Sequence, residues 1–153
     1  MASRSPHRVA DVRNIVVTQL PDYPVDSVVP VGEGLDNLAY EVNGELIVRF
    51  SKEPDPARRA ALVNREARLL AAVGEVSPLP VPELTFMVAE QGCLAYVKLP
   101  GVALLDMPRH ERSAHGTSVA ATLGEFLTAL HAVAVDRMTD LVDTDDRDRK
   151  SVV

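Results

Sequence analysis

Three groups of residues have the types and spacing to do chemistry. The first is Gly32-Glu33-Gly34-Leu35-Asp36-Asn37, lying between two runs that read as strands. Backbone free of side chains can come close to a phosphate there, with its N–H groups aimed at the oxygens. A strand follows the glycines and not a helix, so neither the dinucleotide-binding nor the P-loop fingerprint fits. The second is Arg49 in the apolar run Leu46-Ile47-Val48-Arg49-Phe50. Strand alternation puts Ile47 and Arg49 on one face and Leu46, Val48 and Phe50 on the other. A charge among apolar residues is costly unless it is paired. The third is Glu66, three or four residues from Leu62, Val63, Leu69 and Leu70, which places a carboxylate on the apolar stripe of a helix. Arg49 is its obvious cation. Each group alone has a plainer reading: a turn, a solvated edge-strand arginine, and a glutamate paired with Arg59 or Arg65. Their succession along the chain balances a functional site against those readings.

Other reactive side chains carry less. Cys93 is the single cysteine, which excludes an intramolecular disulfide and a cysteine metal cluster and fits a reducing cytoplasm. Cys93 reads as a core strand residue and His131 as packing or capping within its helix. Asp143, Asp145 and Asp146 read as solvated charges in a polar tail.

The elements that must position these groups follow from periodicity. An amphipathic helix is expected from His7 to Leu20, with Val9, Val12, Val16 and Leu20 inward, ended by Pro21 and Pro24. Val25–Val31, Leu38–Val42 and Glu45–Phe50 read as strands, the last two joined at Asn43-Gly44, a two-residue hairpin signal. Asp55 caps a helix that Pro56 opens and Gly74 stops. A second hairpin, Leu84–Ala89 with Cys93–Leu99, turns at Gln91-Gly92. After Pro100-Gly101 a long helix runs from Ser113 or Thr117 to Val135, with Val119, Leu123, Phe126, Leu127 and Leu130 on one face. The class is α+β: an antiparallel sheet of about five strands with a helix packed on it.

The 153 residues, 46% of them hydrophobic, suffice for a core, and the net charge of −6 carries no basic block for nucleic acid. The apolar runs fall short of the roughly 20 residues of a membrane span. Met1–Asp11 has no apolar segment of a secretory signal.

The series Gly32-x-Gly34-x-Asp36-Asn37, Ile47-Val48-Arg49-Phe50, Asn64-Arg65-Glu66-Ala67-Arg68-Leu69-Leu70 and Leu79-Pro80-Val81-Pro82 resembles the aminoglycoside phosphotransferase family. Tyr96-Val97-Lys98-Leu99-Pro100-Gly101 and Leu123-Gly124-Glu125-Phe126-Leu127, with Leu130-His131, extend the likeness over Val25 to Val135. The resemblance implies a protein-kinase-like fold with the nucleotide between two lobes. Gly32, Gly34, Asp36 and Asn37 would belong to the loop over the phosphates, Asn37 replacing the third glycine of protein kinases. Arg49, where many relatives carry Lys, would grip the α/β-phosphates with its planar fork. Glu66 would steady Arg49. Val97, Lys98 and Leu99 would offer backbone groups to adenine.

On this resemblance, residues 1–98 are expected to form the kinase-like N-lobe, 99–103 the hinge and 104–147 the start of a helical C-lobe. ATP or GTP with Mg²⁺ would be the cofactor and a small hydroxyl compound the acceptor. The family's His-Gly-Asp segment, closely followed by Asn, has no counterpart: His115-Gly116 is followed by Thr117, and no Asn occurs after Asn64. The later metal-binding Asp is missing too. The expectation is therefore a chain cut before its catalytic residues, with the metal ligands in the missing lobe and no transfer activity of its own. A non-catalytic, pseudokinase-like binding module is the alternative. The final hexapeptide Asp148-Arg149-Lys150-Ser151-Val152-Val153 coincides with the translation of a common sequencing adapter, so 148–153 is expected to be non-native. An uncovered apolar face on the long helix would favour non-specific association.

Overall fold

The computed structural model describes residues 9–139; the charged tail, with Asp143, Asp145, Asp146 and 148–153, lies outside them. The described chain divides into two compact units. One holds the chain to Gly74 together with Val81–Pro100, the other Glu75–Pro80 with the chain from Gly101 onward.

The first unit is built on five strands: β1 (Val28–Glu33), β2 (Asn37–Val42), β3 (Leu46–Ser51), β4 (Leu84–Val88) and β5 (Cys93–Val97). All neighbours are antiparallel, in the order β1-β2-β3-β5-β4. The expected α+β layout is the one observed. Alternation along β2 and β3 is strict. Leu38, Tyr40, Val42, Leu46, Val48 and Phe50 are buried, and the residues between them are half-buried. The buried set joins Phe86, Cys93 and Ala95 in one apolar cluster, with Val12, Ile15 and Val16 of helix α1 (Val9–Gln19). Tyr40 and Phe50 meet edge to face within it, ring centres 6.1 Å apart. Ile15, absent from the expected helix stripe, takes the place of Val9, which is exposed.

The first strand starts three residues later than expected. The Asn43 side chain occupies the preceding backbone: Oδ1 accepts from the N–H groups of Asp26 and Ser27, and Nδ2 donates to the Pro24 carbonyl. Arg13 of α1 donates to the Val25 and Asp26 carbonyls. Asn43 and Gly44 both have positive φ, 53° and 73°, as the hairpin signal requires. The loop holds three residues, because Val42 pairs with Leu46 and Glu45 turns back to the Val42 carbonyl.

Helix α2 spans Pro56–Val76. Its start is capped as expected: the Arg58 N–H donates to Asp55 Oδ2 at 2.7 Å. Gly74 does not stop it; the helix runs through and ends two residues later. Gly92, between β4 and β5, is required twice over. Its φ is +66°, and a Cβ there would lie 2.5 Å from Cδ of Arg59.

In the second unit, α3 is Arg109–His131 and α4 is Val135–Thr139. The long helix opens earlier than expected, after an extended Pro108, and contains His115-Gly116 within its body. It buries no residue: Leu123 and Leu127 are exposed, and Val119, Phe126 and Leu130 are half-buried. Arg137 of α4 pairs with Glu75 at 2.8 Å.

Candidate functional site

The sheet face away from the apolar cluster carries the charges. Arg49 sits in β3 opposite Ala39 on β2 and Leu94 on β5, and Ala39 in turn lies opposite Gly32 on β1. One row across the sheet therefore reads Gly32, Ala39, Arg49, Leu94. Residues directly opposite each other share a face, so Arg49 is flanked on the β1 side by a methyl group and then by no side chain at all. At about 4.8 Å between strands, Gly32 lies about 10 Å from Arg49 across the sheet.

Glu66 on α2 meets Arg49 from above this face. Arg49 Nη1 donates to Glu66 Oε1 at 2.5 Å, with both side chains partly exposed, 26% and 34%. The ion pair inferred from strand alternation and helix spacing is formed. Leu94 of β5 and Val63 of α2 are buried outside the main cluster. The guanidinium is thus held from one side by a charge-assisted bond and keeps further N–H groups for another acceptor.

The glycine loop joins β1 to β2. Gly32 and Glu33 belong to the ladder, after an irregularity in pairing between Pro30 and Gly32. The Gly34 N–H donates to the Asn37 carbonyl at 2.9 Å, which closes the turn with Leu35 at its exposed tip. Asp36 is exposed and Asn37 half-buried. Neither Gly32 nor Gly34 is at positive φ. A Cβ would meet nothing within 4 Å at Gly32, and only the Asn37 carbonyl at 3.8 Å at Gly34. The fold tolerates side chains at both positions, so the glycines answer no packing demand of the chain.

Val97 ends β5 and is exposed, as are Lys98 and Leu99. The Lys98 N–H is committed to the Glu45 carbonyl at 2.7 Å. The Lys98 Nζ reaches across β3 to Glu41 Oε2 at 2.6 Å. In an antiparallel strand, alternate residues turn their backbone groups to opposite edges. Lys98 faces β3, so Val97 and Leu99 face the other way. Gly101, just beyond, has φ +132°, a backbone setting that side chains disfavour.

One further residue beside the loop carries no signal in its sequence context: Lys52, just past β3. Its ammonium contacts Glu33 Oε1 at 2.6 Å and the Gly34 carbonyl at 2.7 Å. Its own N–H donates to the Asp36 carbonyl at 2.8 Å. A charged residue at a strand end is ordinary, and nothing in its spacing points at the loop. Cys93 lies in the apolar cluster with its thiol pushed up to about 12 by burial, and takes no part. His131 ends α3 and is exposed. No helix among the described residues is long and apolar enough to cross a membrane.

A five-stranded antiparallel sheet whose central strand is ion-paired to the following helix is the architecture of a protein-kinase-like N-lobe. The model of the phosphotransferase enzyme family, APH, matches residues 27–151, and the chain belongs to that family. The GDP complex of wild-type aminoglycoside 2'-phosphotransferase-IIIa is similar over 94% of this chain and 49% of its own, with TM-score 0.75 and 23% identity. The streptomycin-ATP-APH(2")-IIa ternary complex matches over 94% and 47%, with TM-score 0.61 and 14% identity. Macrolide 2'-phosphotransferase type I matches over 88% and 47%, with TM-score 0.56 and 23% identity. The chain thus spans about half the length of the solved structures it matches. No curated protein matches it.

Proposed function

We propose that this chain carries the nucleotide-binding part of a small-molecule kinase, an enzyme that moves phosphate from ATP or GTP to a hydroxyl group. The observation that carries the reading is the 2.5 Å pair between Arg49 and Glu66, set beside a row that narrows to Ala39 and Gly32. Arg49, steadied by Glu66, would receive the α/β-phosphates. Gly32 and Gly34, which the fold does not demand, would let backbone approach the remaining phosphates, with Asp36 and Asn37 shaping the turn. Val97 and Leu99 would offer their edge-facing backbone groups to the base. Lys98 drops from that role, because its N–H is already bonded to Glu45.

Residues 1–98 would act as the N-lobe, 99–103 as the hinge and 104–147 as the start of a helical lobe. The similar structures include a GDP complex and a ternary complex with ATP and streptomycin. That supports a nucleotide and a hydroxyl-bearing acceptor for the intact protein. Mg²⁺ would shield the phosphates in such a reaction. Among the described residues no group of three or more His, Cys, Asp or Glu is placed to hold a metal ion; the Mg²⁺ of a nucleotide complex would take one or two carboxylates together with the phosphates. No counterpart of His-Gly-Asp with a following Asn occurs in the 153 residues, so they would transfer no phosphate by themselves. The half-exposed Leu123 and Leu127 would favour association between copies.

Calorimetric titration of the 153-residue chain with ATP and GTP, paired with a phosphate-release assay, tests this reading. Binding of at least one nucleotide without acceptor-dependent turnover is expected. Absence of binding, or turnover that depends on a hydroxyl acceptor, would contradict it.

A further inference from the structure

Lys52 makes three contacts to the glycine loop, two from its side chain and one from its backbone. The ammonium bridges the Glu33 carboxylate and the Gly34 carbonyl, and the Lys52 N–H takes the Asp36 carbonyl. The carbonyls of Gly34 and Asp36 are therefore both drawn toward Lys52. A trans peptide is planar, with its C=O and the next N–H pointing in opposite directions. Drawing in the Gly34 carbonyl turns the Leu35 N–H away from Lys52, outward at the tip of the loop. Without the ammonium, the Gly34 peptide would be free to rotate, because glycine offers little conformational resistance.

We propose that Lys52 is a positioning residue that clasps the glycine loop in the shape that presents the Leu35 N–H to the polyphosphate. The proposal deepens the nucleotide reading and rests on it. Glu33 acts with Lys52: its carboxylate holds the ammonium over Gly34, while its side chain remains largely exposed, 63%, to solvent. An exposed ion pair adds little to global stability, so the clasp orders the loop without supporting the fold. It also differs from simple charge attraction. If Lys52 acted only as a distant cation, removing the negative charge of Glu33 would strengthen binding of an anionic ligand. If Lys52 acts as a clasp, the same change loosens the loop and weakens binding.

The experiment uses the full chain as wild type, Lys52→Met, Lys52→Arg and Glu33→Gln, with circular dichroism melts to establish folding. Two readouts are taken: amide hydrogen exchange over residues 33–37, and affinity for ATP and for adenosine. For Lys52→Met we expect loop exchange to rise and ATP affinity to fall about tenfold, the scale of one charge-assisted hydrogen bond, with adenosine affinity unchanged. Lys52→Arg should restore most of the ATP affinity, and Glu33→Gln should weaken it by a smaller factor. Unchanged loop exchange in Lys52→Met, tighter ATP binding by Glu33→Gln, or equal losses for ATP and adenosine would overturn the clasp. Failure of the wild type to bind ATP or GTP would instead sink the nucleotide reading, and exchange alone would then judge whether the loop is clasped. Should Lys52→Met not fold, Lys52→Arg and Glu33→Gln still separate the clasp from charge attraction.

Discussion

The two faces of the sheet are built to opposite rules. On the α1 side, every second residue of β2 and β3 is apolar and buried, and helix residues Val12, Ile15 and Val16 complete the cluster. On the α2 side the intervening residues are half-buried, and the face carries two ion pairs, Arg49–Glu66 and Lys98–Glu41. Of α2, only Val63 is buried. A closed apolar layer supplies stability through area removed from water. A half-open charged face supplies little of it and leaves donors available. One alternating strand, β3, thus serves both tasks: Leu46, Val48 and Phe50 hold the fold while Arg49, one position out of phase, faces the candidate site.

If that division is right, changes on the two faces should separate stability from binding. The largest stability loss should come from Phe50→Ala, which empties a fully buried ring site beside Tyr40. About 3–5 kcal/mol is expected from urea unfolding, and a loss comparable to a surface substitution would contradict the division between the two faces. Arg49→Met should do the reverse. Its urea midpoint should stay near that of the wild type, because a part-exposed pair contributes only about 1 kcal/mol. Its ATP affinity should fall by at least about tenfold. Glu66→Gln should give a milder loss of affinity, since Arg49 remains but is less well held.

A further effect is confined to alkaline pH and concerns Cys93. Burial raises the Cys93 thiol from its ordinary 9.0 to about 12. The unfolded chain then loses this proton first, so it binds fewer protons than the folded chain as pH rises. The contribution is intact below pH 9.0 and declines from there toward about 12. Unfolding across that range should show a flatter decline in Cys93→Ala than in the wild type.

The site was partly readable from sequence because two periodicities intersect there. Period two placed Arg49 opposite the apolar set, and helical spacing placed Glu66 on the stripe of α2. The Asn43-Gly44 turn and the Asp55 cap were readable because their chemistry is local. Features decided by distant contacts were not. The late start of β1 depends on the Asn43 side chain reaching back to Pro24, Asp26 and Ser27. Gly74 resembles a helix stop, yet a glycine that caps a helix commonly does so by turning left-handed, and Gly74 does not. Inside a helix it costs about 1 kcal/mol relative to alanine, too little to end α2. The start of α3 is set by the extended Pro108, so the helix opens before Ser113 and carries Gly116 within its body. Lys52 was invisible, because its three contacts exist only once β3 lies beside the loop.

A map of backbone amide NMR shifts in the isotopically labelled chain, as ATP is added, tests the proposed nucleotide site directly. Shifts should concentrate at residues 32–37, Arg49, Val97 and Leu99, while Val12, Ile15, Val16 and the buried residues of β2 and β3 stay still. Shifts centred on α1 and its apolar layer, or none at all, would contradict it.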